Sequence, residues 1–364
     1  MPPLVIRIAT TEDIPDIMRF WDEHWVPGHV MSRDRGLVSW QHVQPSIGLP
    51  QDGRPGRVNF VLAERQSNDL IGFLGFVPMS RFDPAILPAD DVIFLAGWRM
   101  RADAPPGLGA ALLARLRASL RPPAIITLGL NERVRALYER FGFRTDTLSH
   151  HVLPNPDIET LRLADIPGHS HWPAPTGGAV LRRLDRNALM ALPPDLWQED
   201  EVLPKKTPGW LAARYLDHPH YQYGVFLLVG ATGPKGILVL RRCMADGASA
   251  LRLVDCVGSA DMLCTAGTAL IALLRTNGAE YMDLFAEGMD AAALAAAGFH
   301  AVAHLSGAVV PNHFEPFVRE NRPIRFASLT PPGRRLRLFK GDGDQDRPNL
   351  VPVLPLPIRE CESS

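Results

Sequence analysis

Apolar and polar positions change period repeatedly along the first 150 residues, and each change predicts an element. Alternation over residues 5–9 reads as a strand, and Thr10-Thr11-Glu12-Asp13 offers N-cap chemistry for an amphipathic helix running to about Trp25. A second helical stretch spans 32–43. After a Gly/Pro loop at 48–56 come three strand candidates, 58–64, 70–77 and 91–101, the first two joined by a turn at Gln66-Ser67-Asn68-Asp69, which makes an antiparallel meander. Pro105-Pro106-Gly107-Leu108-Gly109 opens a helix with apolar spacing at Leu112, Leu113, Leu116 and Leu120, and Pro122-Pro123 stops it. A buried strand over 124–130 leads to Asn131 and a helix at 132–141, closed by Gly142.

The same order then begins again. Residues 154–178 are crowded with Pro, Gly and His, as a linker is, and 179–185 echo 5–11. Strands are predicted at 224–230, 236–242 and 250–257, then a helix over 261–275, a strand at 281–286 and an Ala-rich helix. That helix ends Ala297-Gly298-Phe299, as the earlier one ends Phe141-Gly142-Phe143. We read an α+β chain with an internal duplication, each copy a mixed, mainly antiparallel sheet flanked by helices. The expected division is 1–155, a linker at 156–178, a second unit at 179–330 and a tail at 331–364, and 364 residues suffice for two cores.

Composition narrows the function classes. A formal net charge of −1 supplies no field that would draw the chain onto nucleic acid or an anionic membrane, so neither is expected as a partner. Cys243, Cys256, Cys264 and Cys361 form no CxxC pair and have no His at ligand spacing, which points away from zinc and from a disulfide scaffold and suits a reducing cytoplasm. The N-terminus lacks a signal-peptide pattern, and no apolar run approaches the roughly 18 residues that span a bilayer. Asp342-Gly-Asp344-Gln-Asp346 superficially suggests a calcium loop, but Arg347 stands where the loop needs Gly and Val353 where it needs Glu, so no metal is expected.

Candidate chemistry lies at two places. A strand, a glycine turn and a helix N-terminus together form an anion site, because unpaired N–H groups and the helix dipole converge there; Gly107-Leu108-Gly109-Ala110 sits at such a junction. The second place is Asn131-Glu-Arg-Val-Arg135-Ala-Leu-Tyr138-Glu-Arg-Phe-Gly142-Phe143. Taken alone, Asn131 also reads as a helix N-cap and Tyr138 as a core aromatic.

Together these motifs resemble the GNAT acyltransferase family, which carries Asn, then Tyr seven residues on, then Gly-Phe. In that family the glycine turn holds the CoA pyrophosphate, the Asn-type position contacts the pantetheine arm, and the Tyr protonates the departing thiolate. The resemblance implies tandem GNAT-like domains and an acetyl-CoA or other short acyl-CoA donor. It also implies a donor site made by Arg99, Met100, Arg101, Gly107, Leu108, Gly109, Ala110, Asn131 and Arg135, with Tyr138 as general acid. The oxyanion is expected on a backbone N–H near residues 99–101. One position departs from the family: Ala104 replaces the usual Arg or Gln, and Pro105 and Pro106 supply no N–H, so that either CoA binds more weakly or Arg101 compensates. The second copy is degenerate, with no paired glycines at Cys256-Val-Gly258-Ser-Ala-Asp261 and no Tyr in its last helix.

A narrower resemblance, to two-domain bacterial GNAT proteins of surface-glycan assembly, rests on three stretches. They are Phe20–Ser32 with Trp40-Gln41-His42, Lys206–Tyr223, and Phe339–Asn349. Several of those proteins acylate nucleotide-linked amino sugars. That implies a small acceptor amine held by Trp25, Trp40, Arg214, Tyr215, His218, Tyr221, Asp344, Asp346, Arg347 and Asn349. Because the amine must be neutral to attack, a histidine titrating near neutrality suits as general base, His29 first and His24 next, though each reads equally as structural. Arg214 and Tyr215 read equally as helix packing. Other readings are an amino acid, peptide or antibiotic amine as acceptor, a tRNA-dependent aminoacyl transferase, and a non-catalytic acyl-CoA-binding module. A homodimer is compatible with all of them.

Overall fold

The computed structural model describes residues 4–44, 56–65, 69–193, 196, 199–350 and 357–360. Most of the sequence-predicted loop at 48–56 and of the turn at 66–69 lies outside them, as do Val353 and Cys361. In the first half the chain forms β1 (Val5–Thr10), α1 (Ile14–His24), α2 (Val30–Arg33), α3 (Arg35–His42), β2 (Arg57–Arg65), β3 (Asp69–Pro78) and β4 (Ile93–Met100). Then come α4 (Leu108–Leu120), β5 (Ile125–Leu128), α5 (Arg135–Arg140), β6 (Arg144–Thr147) and β7 (Ser149–Pro154).

Local chemistry sets these limits. Asp13 accepts the Thr10 N–H at 2.7 Å and closes a capping box ahead of α1. Asp34 breaks the predicted helix at 32–43 in two, because its extended backbone and its carboxylate, which accepts the Leu37 N–H at 2.8 Å, make it the N-cap of α3. The apolar stripes of α1 (Ile14, Ile17, Phe20, Trp21) and α4 (Leu108, Leu112, Leu113, Leu116) bury against opposite faces of one sheet.

The second half repeats the order: β8 (Val180–Arg183), α6 (Arg186–Met190), β9 (Val202–Leu203), α7 (Pro208–Leu211), β10 (Tyr223–Gly230), β11 (Gly233–Ala245) and β12 (Ala248–Gly258). They are followed by α8 (Gly267–Asn277), β13 (Tyr281–Glu287), α9 (Ala291–Ala296), β14 (His300–Ala301), β15 (His313–Phe314), β16 (Phe317–Val318), β17 (Arg325–Leu329), β18 (Arg335–Leu336) and β19 (Leu338–Phe339). The predicted linker region is packed: Leu163, Ala164 and Ile166 are buried, and the Glu280 carboxylate accepts the N–H groups of Arg162 and Leu163. No helix of the described residues is long and apolar enough to cross a membrane.

Sheet membership does not follow chain order. One sheet runs β1-β2-β3-β4-β5-β17-β6 and the other β14-β7-β13-β12-β11-β10-β8. The last strand of each copy therefore sits inside the sheet of the other: β17 pairs with β5 (Phe326↔Leu128) and β6, and β7 pairs with β13 (Asp283↔Val152) and β14. Strand alternation cannot reveal this, since a strand shows the same pattern whichever sheet receives it. The largest core joins the units and contains Phe94, Leu128, Trp210, Tyr215, Phe285 and Phe326.

Each unit supplies an interior strand of the other's sheet, so the two should unfold together. Phe326→Ala, at a fully buried position, is expected to cost about 3–5 kcal/mol and to keep one transition, with tryptophan fluorescence and far-UV circular dichroism coincident in urea. Two separated transitions would show that the units are energetically independent.

Candidate active site

The first sheet opens where β4 and β5 part. They pair in parallel only at Ile93↔Ile125, Phe94↔Ile126 and Leu95↔Thr127. Beyond that, β4 stays with β3 on one side of the gap, while β5 stays with β17, its partner from Ile125 to Leu128, on the other. The divergence begins at a bulge, where the β3–β4 register slips and Ala96 and Gly97 together oppose Gly75. Gly97 takes φ +87°, and a Cβ there would come within 2.7 Å of the Trp21 ring, so only glycine lets the strand turn at this point.

The gap is a cleft of about 630 Å³, within the range of small-molecule sites. Its walls are Gly97 to Met100, Thr127 to Asn131 and Tyr138, with Trp25 at the mouth. At one end is the N-terminus of α4. Gly107 is its N-cap at φ +82°, with open space where a Cβ would stand, and the first-turn N–H groups at Gly109 and Ala110 have no intrahelical acceptor. An anion can therefore approach the backbone there. Leu108 turns inward and anchors the helix.

Tyr138 projects from α5 to the floor of the cleft. It is 5% exposed, its ring meets Trp98 and Phe143 edge-on at 5.6 and 5.2 Å, and its hydroxyl interacts with Thr127. Burial holds the phenol above its usual range, so it stays protonated at neutral pH. Asn131 lines the cleft and also caps the turn before α5, its Oδ1 accepting the Arg133 N–H at 3.0 Å. Arg135 points elsewhere: Nε donates to Glu139 at 2.9 Å and to Thr145 at 3.1 Å, while Arg133 reaches the cleft.

Arg99 and Met100 border the cleft, with Arg99 Nε on the His24 carbonyl at 2.6 Å. Arg101 does not reach it. Its guanidinium pairs with Asp69 and Asp103 at 2.7 and 2.9 Å, and its N–H is spent on the Ile71 carbonyl, so it neither replaces the cation missing at Ala104 nor offers an oxyanion donor. The ladder breaks instead at Ala96–Gly97, which moves the expected donor three residues upstream.

The far wall comes from the tail, where it leaves the second unit. Its β12–β13 gap, the counterpart of the cleft, is plugged by the chain itself: β19 pairs with β13, and the Gly341 N–H donates to the Val254 carbonyl. From that plug the segment crosses to the first unit under tight restraint. Lys206 Nζ lies 2.5 Å from Asp255 and 2.9 Å from Asp342, and Arg214 donates to the carbonyls of Gly341 and Gly343. Asp346 is gripped by Arg241 and by the Tyr223 hydroxyl, and Gln345 donates to Leu128 O at the end of β5 at 3.0 Å. Each aspartate of the DGDQD run thus faces a cation, since Arg347 takes Asp344 at 3.2 Å. The result is a wall of Asp344, Gln345 and Arg347 along the cleft.

Several expected acceptor residues are therefore interior supports. Arg214 is 2% exposed with Trp40 stacked against it, and Trp40 itself donates to the Ala213 carbonyl. The Tyr215 hydroxyl donates to Asp255 at 2.6 Å, and Asp346 is fully buried. His218 accepts two backbone N–H groups and stacks on Tyr221, whose hydroxyl donates to Glu315 at 2.8 Å. None of these six lines the cleft. Asn349 accepts from Arg347 and contacts His313, at the edge of a neighbouring chamber. His29 is 5% exposed and stacked on Trp21; its Nδ1 accepts the Met31 N–H at 3.1 Å, and burial, with the Arg347 charge, pulls its pKa to about 3. With its basic nitrogen occupied and that pKa, it is a cap for α2 and a poor general base. The motif spacing did not bring out Trp98, Thr127 or Gln345, which carry no recognisable signal outside the fold.

Two solved structures are similar in fold over most of this chain. A GCN5-related N-acetyltransferase from Anabaena variabilis ATCC 29413 is 16% identical, with 90% of this chain and 72% of that one covered at a TM-score of 0.52. The fold is that of GCN5-related N-acetyltransferases. A probable N-acyltransferase from Enterococcus faecalis V583, a conserved protein of unknown function, is 9% identical, with the same coverage and TM-score. No protein-family model and no curated protein matches the sequence. At such identities the likeness carries the acetyltransferase fold, in two copies, and leaves the chemistry to the site.

The depressed His29 pKa has a sign that can be measured. Below about pH 6.5 the unfolded chain binds a proton here that the folded chain refuses until about pH 3, so this stability is present above 6.5 and lost as pH falls. His29→Asn, which keeps an acceptor for Met31, should remove up to about 1.4 kcal/mol per pH unit from the acid slope, read by urea denaturation at pH 7, 6 and 5. An unchanged slope would mean that the imidazole titrates freely.

Proposed function

We propose that the protein is a CoA-dependent N-acyltransferase that moves an acetyl or other short acyl group from acyl-CoA to the amine of a small acceptor. The observation that carries this reading is the meeting, in one cleft, of an open helix N-terminus, a splayed strand pair and a buried protonated phenol. The donor fits: its pyrophosphate suits the N–H groups at Gly107–Ala110, and its extended arm suits the gap past Leu95 and Thr127. Arg133 is the cation at hand for it, in place of the residue missing at Ala104.

In this mechanism the neutral amine attacks the thioester carbon, and a C–N bond forms as the C–S bond breaks. Negative charge on the carbonyl oxygen is met at the Ala96–Gly97 bulge, where the backbone leaves the ladder. Tyr138 passes its proton to the departing sulfur and regains one from solvent. The amine proton goes to Asp344, a carboxylate that borders both the cleft and the neighbouring chamber. The first unit thus serves the donor and the second shapes the acceptor side, as the plugged β12–β13 gap favours. For the acceptor we favour an amino sugar carried on a nucleotide, on the likeness of the Lys206–Tyr223 and Phe339–Asn349 stretches to two-domain sugar acyltransferases. Reduced thiols and a near-neutral charge suit a cytoplasmic reaction.

Thiol release from acetyl-CoA in the presence of an amine panel tests the reaction. Tyr138→Phe is expected to lower kcat about 10²–10⁴-fold with CoA affinity nearly unchanged; wild-type rates would return Tyr138 to the core. For the acceptor, the same amino sugar is compared with and without its nucleoside diphosphate. Equal rates would leave a simpler amine as the substrate.

A further inference from the structure

Past Asp344, Gln345 and Arg347 the cleft adjoins a second chamber of about 260 Å³. Arg241, Arg322, Lys340 and Arg347 line it against only Glu315 and Asp344, an excess of positive charge in a chain of net charge −1. Three of the cations have carboxylate partners: Arg241 has Asp346, Arg347 has Asp344, and Arg322 has Glu320. Lys340 has none among the described residues. It is 6% exposed, its Nζ donates to the Asn312 carbonyl at 3.1 Å, and the Phe285 ring lies 5.8 Å away. The buried carboxylates that act on it, Asp346 and Asp283, are held by Arg241 and Arg252. Burial, with the charges of Arg252 and Arg241, pulls its pKa to about 7, the mark of an ammonium short of a counter-charge. A buried cation of this kind is costly unless something pairs with it, and two of its three donors remain for a ligand.

We propose that this chamber is the acceptor site and that Lys340 seats an oxyanion carried by the acceptor amine, either a phosphate or a carboxylate. The inference rests on the acyl-transfer reading for what happens to the amine, though not for the binding itself. Size sets a further limit. The chamber falls below the roughly 300–1,000 Å³ of drug-sized ligand sites, so it takes the oxyanion and a body the size of one sugar or amino acid, and any nucleoside lies outside it.

Two matched pairs of probes distinguish the sources: glucosamine 6-phosphate against glucosamine, and alanine against alaninamide. Calorimetry and acylation kinetics are run on wild-type protein and on Lys340→Met, which keeps the apolar stem. The charged member of one pair is expected to bind at least tenfold more tightly, and the pair that shows it identifies the anion. Lys340→Met should raise its Kd and KM about ten- to a hundredfold, as loss of a charge-assisted contact does, and leave CoA affinity and the neutral probe unchanged. Equal binding within both pairs, binding by no probe, or a variant that weakens charged and neutral probes alike would overturn the proposal. The wild-type comparison needs no variant, so a Lys340→Met that fails to fold leaves the question decidable. Failure of CoA to bind would remove the acyl-transfer reading while the calorimetry still decided Lys340.

Discussion

The exchange of β7 and β17 is the constraint on which the rest of the molecule depends. A sheet missing an interior strand exposes two rows of unpaired N–H and C=O groups, so neither copy is complete until the other has donated its last strand. The exchange also fixes the two sheets in relation to each other, because β6 and β7 are separated by Leu148 alone and lie in different sheets. A cleft in the first unit can therefore have a wall from the second without a mobile interface between them. The core that fills the junction, from Phe94 through Phe285 to Phe326, makes that position rigid.

On that frame the segment from β19 to Asn349 is the element that makes the two copies unlike. It begins in the β12–β13 gap, the counterpart of the cleft, and ends against β5 and α2, where the Asn349 carbonyl accepts the Val30 N–H. Its fixings are mostly buried ion pairs, Lys206 with Asp255 and Asp342 and Arg241 with Asp346. Such pairs add little net stability over apolar packing, but breaking one costs about 3–5 kcal/mol. Their value here is registry: a chain slipped by one residue would leave Asp346 or Asp342 buried without its cation. That penalty holds Asp344, Gln345 and Arg347 at the cleft.

Much of the architecture was legible in the sequence, because periodicity reports element type and the two glycine-marked helix ends report the repeat. The strand–turn–helix at Gly107 and the Asn131/Tyr138 pair were legible for the same reason, since each depends on local chemistry. What could not be read is whatever depends on which residues are buried. Arg214, Tyr215, His218 and Tyr221 look like ligand-binding groups in a sequence and are interior supports in the fold, because a polar side chain buried with its partner has the same letter as one facing solvent. His29 misleads in the same way. Lys340 is the converse: one of four lysines in the chain, with nothing around it in sequence to set it apart, it becomes distinctive only when Arg241, Arg252 and Phe285 are brought to it from elsewhere.

The duplication then explains why one chain should keep two copies of a fold and, among the described residues, leave open only the first of the two corresponding strand gaps. The proposed acyl transfer needs the acceptor held beside the donor's reactive carbon, and one unit by itself would offer only its β4–β5 gap, open on one side. A second copy closing over the gap could supply that wall, yet an open gap of its own would be a second cavity with exposed backbone. Filling it with β19 satisfies those groups, and the same stretch of chain then becomes the partition between the cleft and the chamber beside it. Closure of the strand gap in one copy and walling of the cleft in the other are, on this argument, a single structural change, made by the one segment 338–349, whose two ends serve the two copies.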